Sequence, residues 1–330
     1  MGGVYFLQNT DLLPREPFQG GLTATENGRL VEIAATGIIS ELATFSNSGV
    51  TLVGDLLEGS DKLLYGVARN GGANGTGYLF RIYPDGRNFE VIHEFDGSTA
   101  TNTGVNPAGT LLEINGKLYG TTYGDAAGNA LSLGTIYSVN LDGSAFQTIY
   151  TSTTEENILS LHEASNGTLY ASTSFGPSII FKINTDGTGI NSIVSSGVTN
   201  FEGALEEVDG KLYGIATSGG ANNFGYIFSI DLLTDAFVNE FNLASGDGRF
   251  TNNGLVALNG ILYGSTLSGG SFGDGTIFTY DLPGGSYTKI YDYNFSGTNA
   301  KSNLSVFDNG SIYAFTRSGG ANGDGLLLEI

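Results

Sequence analysis

The side chains able to do chemistry in this chain are few and scattered. It has two histidines, His93 and His162, and no cysteine. His162 precedes Glu163, and an imidazole beside a carboxylate has the makings of a general base. No third member of a Ser/His/Asp constellation is identifiable. His93 falls on an outer strand and reads as a surface residue. Glu206-Glu207, Glu163 and Glu113 supply carboxylates on what read as inner strands of neighbouring repeats. A glycosidase needs two such groups roughly 5 to 10 Å apart. The matching positions later in the chain are Val256-Ala257 and Val306-Phe307, so the acids form no ring. Catalytic candidates therefore stop at Glu163, Glu206, Glu207 and His162.

Metal ligation looks equally thin. Asp247, Asp274 and Asp324 each sit between two glycines. One Asp per loop falls short of the six to eight oxygens calcium takes. No cofactor is expected, calcium being the one left open. The glycine-rich loops lack the Gly-Lys-Ser/Thr of a phosphate loop and no helix follows them.

These residues must be positioned by a frame that is far better specified. Asn259-Gly260 separates two strand candidates, Leu255–Leu258 (a) and Ile261–Thr266 (b). A glycine-rich loop over Ser268–Asp274 leads to a third, Thr276–Asp281 (c). Pro283-Gly284-Gly285 then turns into a fourth, Tyr287–Asp292 (d). The a–b turn recurs as Asn115-Gly116, Asn166-Gly167, Asp209-Gly210 and Asn309-Gly310, and the c–d turn as Asp85-Gly86, Asp142-Gly143 and Asp186-Gly187. Such pairs accept the positive φ angles of type I′ hairpins, so each repeat is predicted to be a four-stranded antiparallel meander.

Strand c recurs near Leu30, Leu79, Ile136, Ile180, Ile227, Ile277 and Leu327. A lone sheet of this kind cannot cover both its apolar faces, whereas stacking seven around an axis can. The expected fold is all-β, a seven-bladed β-propeller spanning 1–330 as a single domain. Val4–Leu7 is expected to close the ring by pairing with the last copy, residues 1–27 forming an irregular first blade. A β-solenoid is the runner-up.

The run Lys117-Leu118-Tyr119-Gly120-Thr121-Thr122, with Gly134-Thr135-Ile136-Tyr137 after it, resembles the tandem repeat called the Gloeo–Verruco type. The order of strands and turns is also loosely kelch-like, although the kelch Trp is absent. The resemblance implies the fold and export to the cell surface or medium. It implies no reaction.

Composition narrows the partners. The chain holds 33 acidic and 13 basic residues, a formal net charge of −20. That disfavours nucleic acid, which needs clustered Lys and Arg, and no apolar run is long enough for a membrane-spanning helix. Residues 1–20 show no leader, so the chain either stays inside the cell or begins after a removed one. Within each repeat the a–b and c–d turns fall at one end and the longer b–c and d–a connections at the other. Loops on a rigid frame are where binding residues reside. The expected contacts at the long-loop end are Arg69, Asn74, Asp125, Asn222, Asp247, Arg249, Asp274, Arg317 and Asp324. Tyr65, Tyr119, Tyr170, Tyr213, Tyr263 and Tyr313 recur in every copy and read as packing between blades. The leading functional expectation is a non-enzymatic interaction or scaffold module for protein or glycan. A polysaccharide-active hydrolase or lyase with carboxylates near the propeller axis and a structural subunit of a surface appendage or virion are the alternatives.

Overall fold

The computed structural model describes residues 4–9, 28–33, 39–44, 51–97, 104–123, 133–153, 157–174, 178–196, 201, 203–249, 254–294, 304–306, 311–316 and 326–330. Asp125, Arg317, Asp324 and the Asn309-Gly310 turn lie outside these residues. Among the described residues there is no helix, and the strands form seven sheets in chain order, five of four strands and two of three. The second sheet comprises Leu52–Glu58, Leu64–Ala68, Tyr78–Ile82 and Glu90–Glu94. The third comprises Val105–Ile114, Lys117–Tyr123, Thr135–Asn140 and Gln147–Thr151. The fourth comprises Asn157–Glu163, Leu169–Ser174, Ser178–Ile183 and Asn191–Ser196. The fifth comprises Glu206–Val208, Lys211–Ala216, Tyr226–Asp231 and Phe237–Asn242. The sixth comprises Val256–Leu258, Ile261–Ser265, Thr276–Asp281 and Ser286–Asp292. The chain divides into two compact units, Met1–Leu161 and His162–Ile330.

The first sheet corrects one expectation. Val4–Asn9 pairs antiparallel with Gly28–Ile33, with Leu7 opposite Leu30, and Ile39–Thr44 completes that sheet. The last sheet contains Leu304–Val306, Ile312–Thr316 and Leu326–Glu329, without the N-terminal strand. Val4–Asn9 is thus strand b of the first copy. Pairing nearby in sequence closes a far shorter loop than pairing with the last copy would.

Besides the four-residue c–d turns over 232–235 and 282–285, two kinds of tighter turn, not one, join the strands. Asn115, Asp209 and Asn259 have φ of 52°, 49° and 53°, each followed by a left-handed glycine, as a type I′ turn requires. At Asn166-Gly167, Asp85-Gly86, Asp142-Gly143 and Asp186-Gly187 only the glycine is left-handed. These are three-residue loops: Gly143 N–H donates to Asn140 O (2.8 Å) and Asn140 N–H to Ser144 O (2.9 Å). The Asp or Asn side chain accepts the N–H two residues on, as Asp142 Oδ1 does from Ser144 (2.9 Å) and Asp186 Oδ1 from Thr188 (2.9 Å). That local hydrogen bond lets Asp stay right-handed, so the glycine alone takes the positive φ. The Ser144 and Thr188 hydroxyls, each donating to the same oxygen (2.6 Å), and then these N–H groups hold the Asp142 and Asp186 carboxyls below the usual carboxylate range.

Strands b and c are buried on both faces. Leu64–Ala68 is buried at every position, and Thr135–Asn140 at all but the last. The covering groups come from adjacent sheets. Tyr65, Val67 and Leu79 pack with Leu111, Leu118 and Tyr137 of the third sheet. Tyr170 and Ile180 pack with Leu205, Leu212 and Phe228 of the fifth, and Tyr213 and Ile215 with Leu262 and Phe278 of the sixth. Tyr65, Tyr170 and Tyr213 therefore do pack between sheets.

The glycine of that pair has a separate cause. It lies opposite an aromatic residue of strand c: Gly66 opposite Phe80, Gly120 opposite Tyr137, Gly214 opposite Phe228 and Gly264 opposite Phe278. The ring lies across the glycine so closely that a Cβ on Gly214 would sit 2.3 Å from Phe228 Cζ, and one on Gly66 2.5 Å from Phe80 Cζ. A second ring, nine residues on at the start of strand d, covers the first. Phe146 stacks on Tyr137 at 5.4 Å, Phe237 on Phe228 at 5.1 Å and Tyr287 on Phe278 at 5.1 Å. Phe89 lies over Phe80 at 5.3 Å. The fourth sheet departs at both places together: Ala171 faces Phe181, and Ile190 stands nine residues on, 52% exposed.

Replacing Gly214 by Ala should therefore lower stability by about 1–3 kcal/mol, the usual effect of overpacking. The measurement is the urea midpoint at unchanged denaturant slope. Shrinking the ring in the same molecule (Phe228→Leu) should make the pair lose less than the sum of the two single losses. Strictly additive losses would show that the ring and the glycine do not interact.

Candidate functional site

The long-loop end is built on a repeated backbone skeleton. Three b–c loops are described in full, over 69–77, 218–225 and 268–275. In each the closing glycine donates back across the loop at the same distance: Gly77 to Gly71 O, Gly225 to Gly219 O and Gly275 to Gly269 O, all 3.1 Å. Each loop also wraps an acceptor from the end of strand d. Glu94 Oε2 accepts Ala73 N–H (3.1 Å), Asn242 Oδ1 accepts Ala221 N–H (2.8 Å) and Asp292 Oδ1 accepts Ser271 N–H (2.9 Å). Gly72, Gly220 and Gly270 have φ of 77°, 73° and 74°, and a Cβ on any of them would strike that acceptor. The glycines are there so that the loop can close around a side chain of its own sheet.

Most predicted contact residues take part in this bracing. Asn74 Nδ2 donates to Phe95 O (3.3 Å), and Asn222 Nδ2 to Leu243 O (3.0 Å). Asp247 Oδ2 accepts Ala244 N–H (2.9 Å), while its carbonyl accepts Thr276 Oγ1 (2.7 Å) and the Tyr287 hydroxyl (2.9 Å). Arg249 and Ser268 exchange backbone hydrogen bonds at 2.7 and 3.2 Å, and Arg249 Nε reaches Ser268 Oγ (3.3 Å). The Arg69 guanidinium lies 4.5 Å over the Tyr123 ring. Asp274 is half-buried in the third loop. Among the described residues no group of three or more His, Cys, Asp or Glu gathers in a way that could hold a metal ion.

The candidate acids are separated by strand geometry. Adjacent residues of a strand point to opposite faces. Glu207 turns to the fourth sheet, where its carboxylate accepts Ser165 N–H (2.7 Å) and the Ser165 hydroxyl. Glu206 turns to the sixth and accepts Ala257 N–H (3.1 Å). Burial pushes the Glu206 carboxyl above the usual range, against that hydrogen bond. Glu113 repeats the first arrangement between the third and second sheets, two interfaces earlier, accepting Ser60 N–H (2.7 Å) and Ser60 Oγ–H (2.6 Å). The structure brings His162 and Glu207 together, Nε2 lying 4.0 Å from Oε2. His162 is mostly buried, and desolvation holds its pKa below the usual imidazole value, against the pull of Glu207. Glu163 is half-buried at the end of Asn157–Glu163.

His93 is not the surface residue its outer strand suggested. The d strand carries an extra residue, Ile92, because Leu79 pairs with His93 while Phe80 pairs with Val91. Such a bulge turns the next side chain inward. The imidazole stacks on Phe146 of the third sheet at 3.7 Å and 4° and meets Phe95 edge-on. Desolvation pushes its pKa down to about 4, Asp96 opposing.

The chain matches a single family model, the Gloeobacter/Verrucomicrobia repeat, over residues 18–195 and again over 134–328. The chain belongs to that family. No curated protein matches it in sequence. Among solved structures it is similar to the nidogen/laminin complex, at TM-score 0.53 and 12% identity over 87% of this chain and 94% of that one. It is similar to an oligogalacturonate lyase in complex with manganese, at TM-score 0.63 and 14% identity over 92% of this chain and 82% of that one. A puromycin-hydrolyzing peptidase of Mycobacterium tuberculosis is similar at TM-score 0.59 and 12% identity, over 94% of this chain and 49% of that one. At these identities the likeness is one of fold, and the fold is a repeat β-propeller.

Within this Gloeobacter/Verrucomicrobia repeat two roles were not expected from sequence. The pairing of Glu113 and Glu207 with a serine of the preceding sheet has a visible signal, since both Ser60 and Ser165 stand in a–b turns. The inward His93 has none, because a bulge is not marked by residue type.

Two outcomes test these roles. Glu207→Ala should cost about 1–2 kcal/mol, charge-assisted bonds at a half-buried site being discounted for solvent, and Ser165→Ala in the same background should add little. For His93 the unfolded chain binds a proton near pH 6.5 and the native state near 4. The unfolded state thus holds the extra proton between these values, and stability falls as pH drops through that window. His93→Phe should flatten the urea midpoint against pH there, a gain of about 1–2 kcal/mol at pH 5 relative to the parent's own loss. A slope identical to the parent's would assign the acid sensitivity elsewhere.

Proposed function

We propose that this protein is a non-enzymatic interaction or scaffold propeller whose seven sheets are its seven blades, exposed at the cell surface or secreted, and that it holds protein or glycan at its long-loop end. The observation that carries this is the contrast between the two ends of each sheet. One end has short turns of two to four residues. The other has loops whose backbone skeleton is the same in three sheets, with an exposed tip that is Ala-Asn in two of them (Ala73-Asn74 and Ala221-Asn222) and Ser271-Phe272 in the third. A constant frame on which a tip residue can be exchanged is how rigid repeat proteins present binding residues.

The acids support the same reading. Glu113, Glu206 and Glu207 accept hydrogen bonds from the backbone of neighbouring sheets, which gives them a structural task. Export follows from the family's resemblance to surface and secreted repeats. Among the described residues no helix is long and apolar enough to cross a membrane.

A photo-crosslinking amino acid at Ala73 or Ala221 should capture a partner from the protein's native cells or medium far more efficiently than one at Ala236, an exposed residue of a c–d turn. Capture concentrated at position 236 would place the contact at the wrong end and sink the assignment.

A further inference from the structure

We infer that Phe272, at the tip of the third described b–c loop, is the stacking platform of a subsite for an uncharged oligosaccharide. The inference deepens the long-loop reading above and rests on it. It comes from one departure from the repeat. Asn74 and Asn222 occupy the same place in their loops, and each spends its amide on the carbonyl that follows strand d, that of Phe95 or Leu243. In the sixth sheet the corresponding residue is Phe272, which has no donor to give. Its side chain is 58% exposed, and it is the single large hydrophobic residue exposed in the three loops.

The loop does not slacken in consequence. Ser271 adds a hydroxyl hydrogen bond to Asp292 Oδ2 (2.9 Å) beside its backbone bond to Oδ1. Lys289 Nζ pairs with Asp292 (2.8 Å) and reaches Gly246 O (3.2 Å) and Ser271 Oγ (3.4 Å). Burial pushes the Asp292 carboxyl up, but Lys289 and Ser271 together outweigh it and hold the carboxyl below the usual range. The bracing lost with the asparagine is replaced from strand d, so the ring is presented on a fixed mount.

The surroundings choose the ligand. Phe272 is flanked by Ser271, Gly273 and Asp274, with Gly270 behind. A protein partner would want a wider apolar patch around an aromatic anchor. A pyranose offers one apolar face of about a ring's width, fringed by hydroxyls that suit polar neighbours. The formal charge of −20 repels anionic sugars.

The test is calorimetry and affinity electrophoresis with β-1,4-linked hexasaccharides of glucose, N-acetylglucosamine, mannose and galacturonate. The variants are Phe272→Ala, Phe272→Asn and Phe272→Trp, with Leu233→Ser, a 93% exposed residue of a c–d turn, as control. Wild type should bind at least one neutral hexasaccharide. Phe272→Ala and Phe272→Asn should weaken it by about tenfold or more, Phe272→Trp should keep it, and Leu233→Ser should change nothing. Thermal unfolding should not fall in Phe272→Asn, which restores the amide used by the other two loops. Binding left intact by Phe272→Ala, or confined to galacturonate, overturns this subsite and leaves the long-loop reading standing. No binding of any sugar by wild type overturns the subsite, and only the crosslinking yields then decide the broader reading.

Discussion

The structure depends on an aromatic ring laid across the backbone of a glycine on the neighbouring strand. In four sheets the ring of Phe80, Tyr137, Phe228 or Phe278 fills the space that a Cβ at Gly66, Gly120, Gly214 or Gly264 would take. A glycine inside a strand is ordinarily a weakness, since it costs chain entropy and packs nothing. Here the missing side chain lets strand c put its largest residue flat over strand b. A second ring from strand d then lies on the first, and such pairs contribute about 0.5–1.5 kcal/mol beyond the area they bury. The result is a sheet with aromatic thickness and two apolar faces, which is why neighbouring sheets must cover it.

That demand explains the use of the polar groups. Where sheets meet in depth the contacts are apolar, as among Tyr213, Leu255, Leu262 and Phe278. Where they meet near the tight-turn end, polar fasteners appear. Glu113 and Glu207 each hold a serine in the turn of the sheet before. Lys182 reaches Asp235 in the turn of the sheet after, and Arg81 reaches Leu141 O in the same sense. A carboxylate accepting backbone N–H there offsets its own desolvation and fixes the register between sheets. Acids that look catalytic in sequence are thereby engaged between neighbouring sheets.

At the long-loop end the loops are rigid for their length. Each closes around an acceptor of its own sheet, and its glycines occupy backbone angles that only glycine takes without strain. Rigidity matters for a binding surface because little conformational entropy is lost on contact. The exposed tip is then free to differ between copies without disturbing what lies below it. Phe272 is that freedom used once, and it stands out only against Asn74 and Asn222.

The order of strands, their number per sheet and the Asn-Gly and Asp-Gly turns were legible because they depend on local chemistry. Gly-rich turns, alternating strands and a repeat of about 50 residues leave few other arrangements. The Tyr-Gly pair was legible as a repeated feature, and the nine-residue spacing of its two rings was there to be counted. Other properties depend on groups distant in sequence. Val4–Asn9 found its partner in Gly28–Ile33 because the nearer strand closes the shorter loop. His93 turned inward because a bulge at Ile92 advanced the strand by one residue. Glu206 and Glu207, neighbours in the chain, went to opposite sheets because a strand alternates its faces. Periodicity alone therefore determined the building unit, while the tertiary structure decided which acids, imidazoles and loop tips remained free, since burial and pairing are properties of neighbours that the repeat brings together only after it folds.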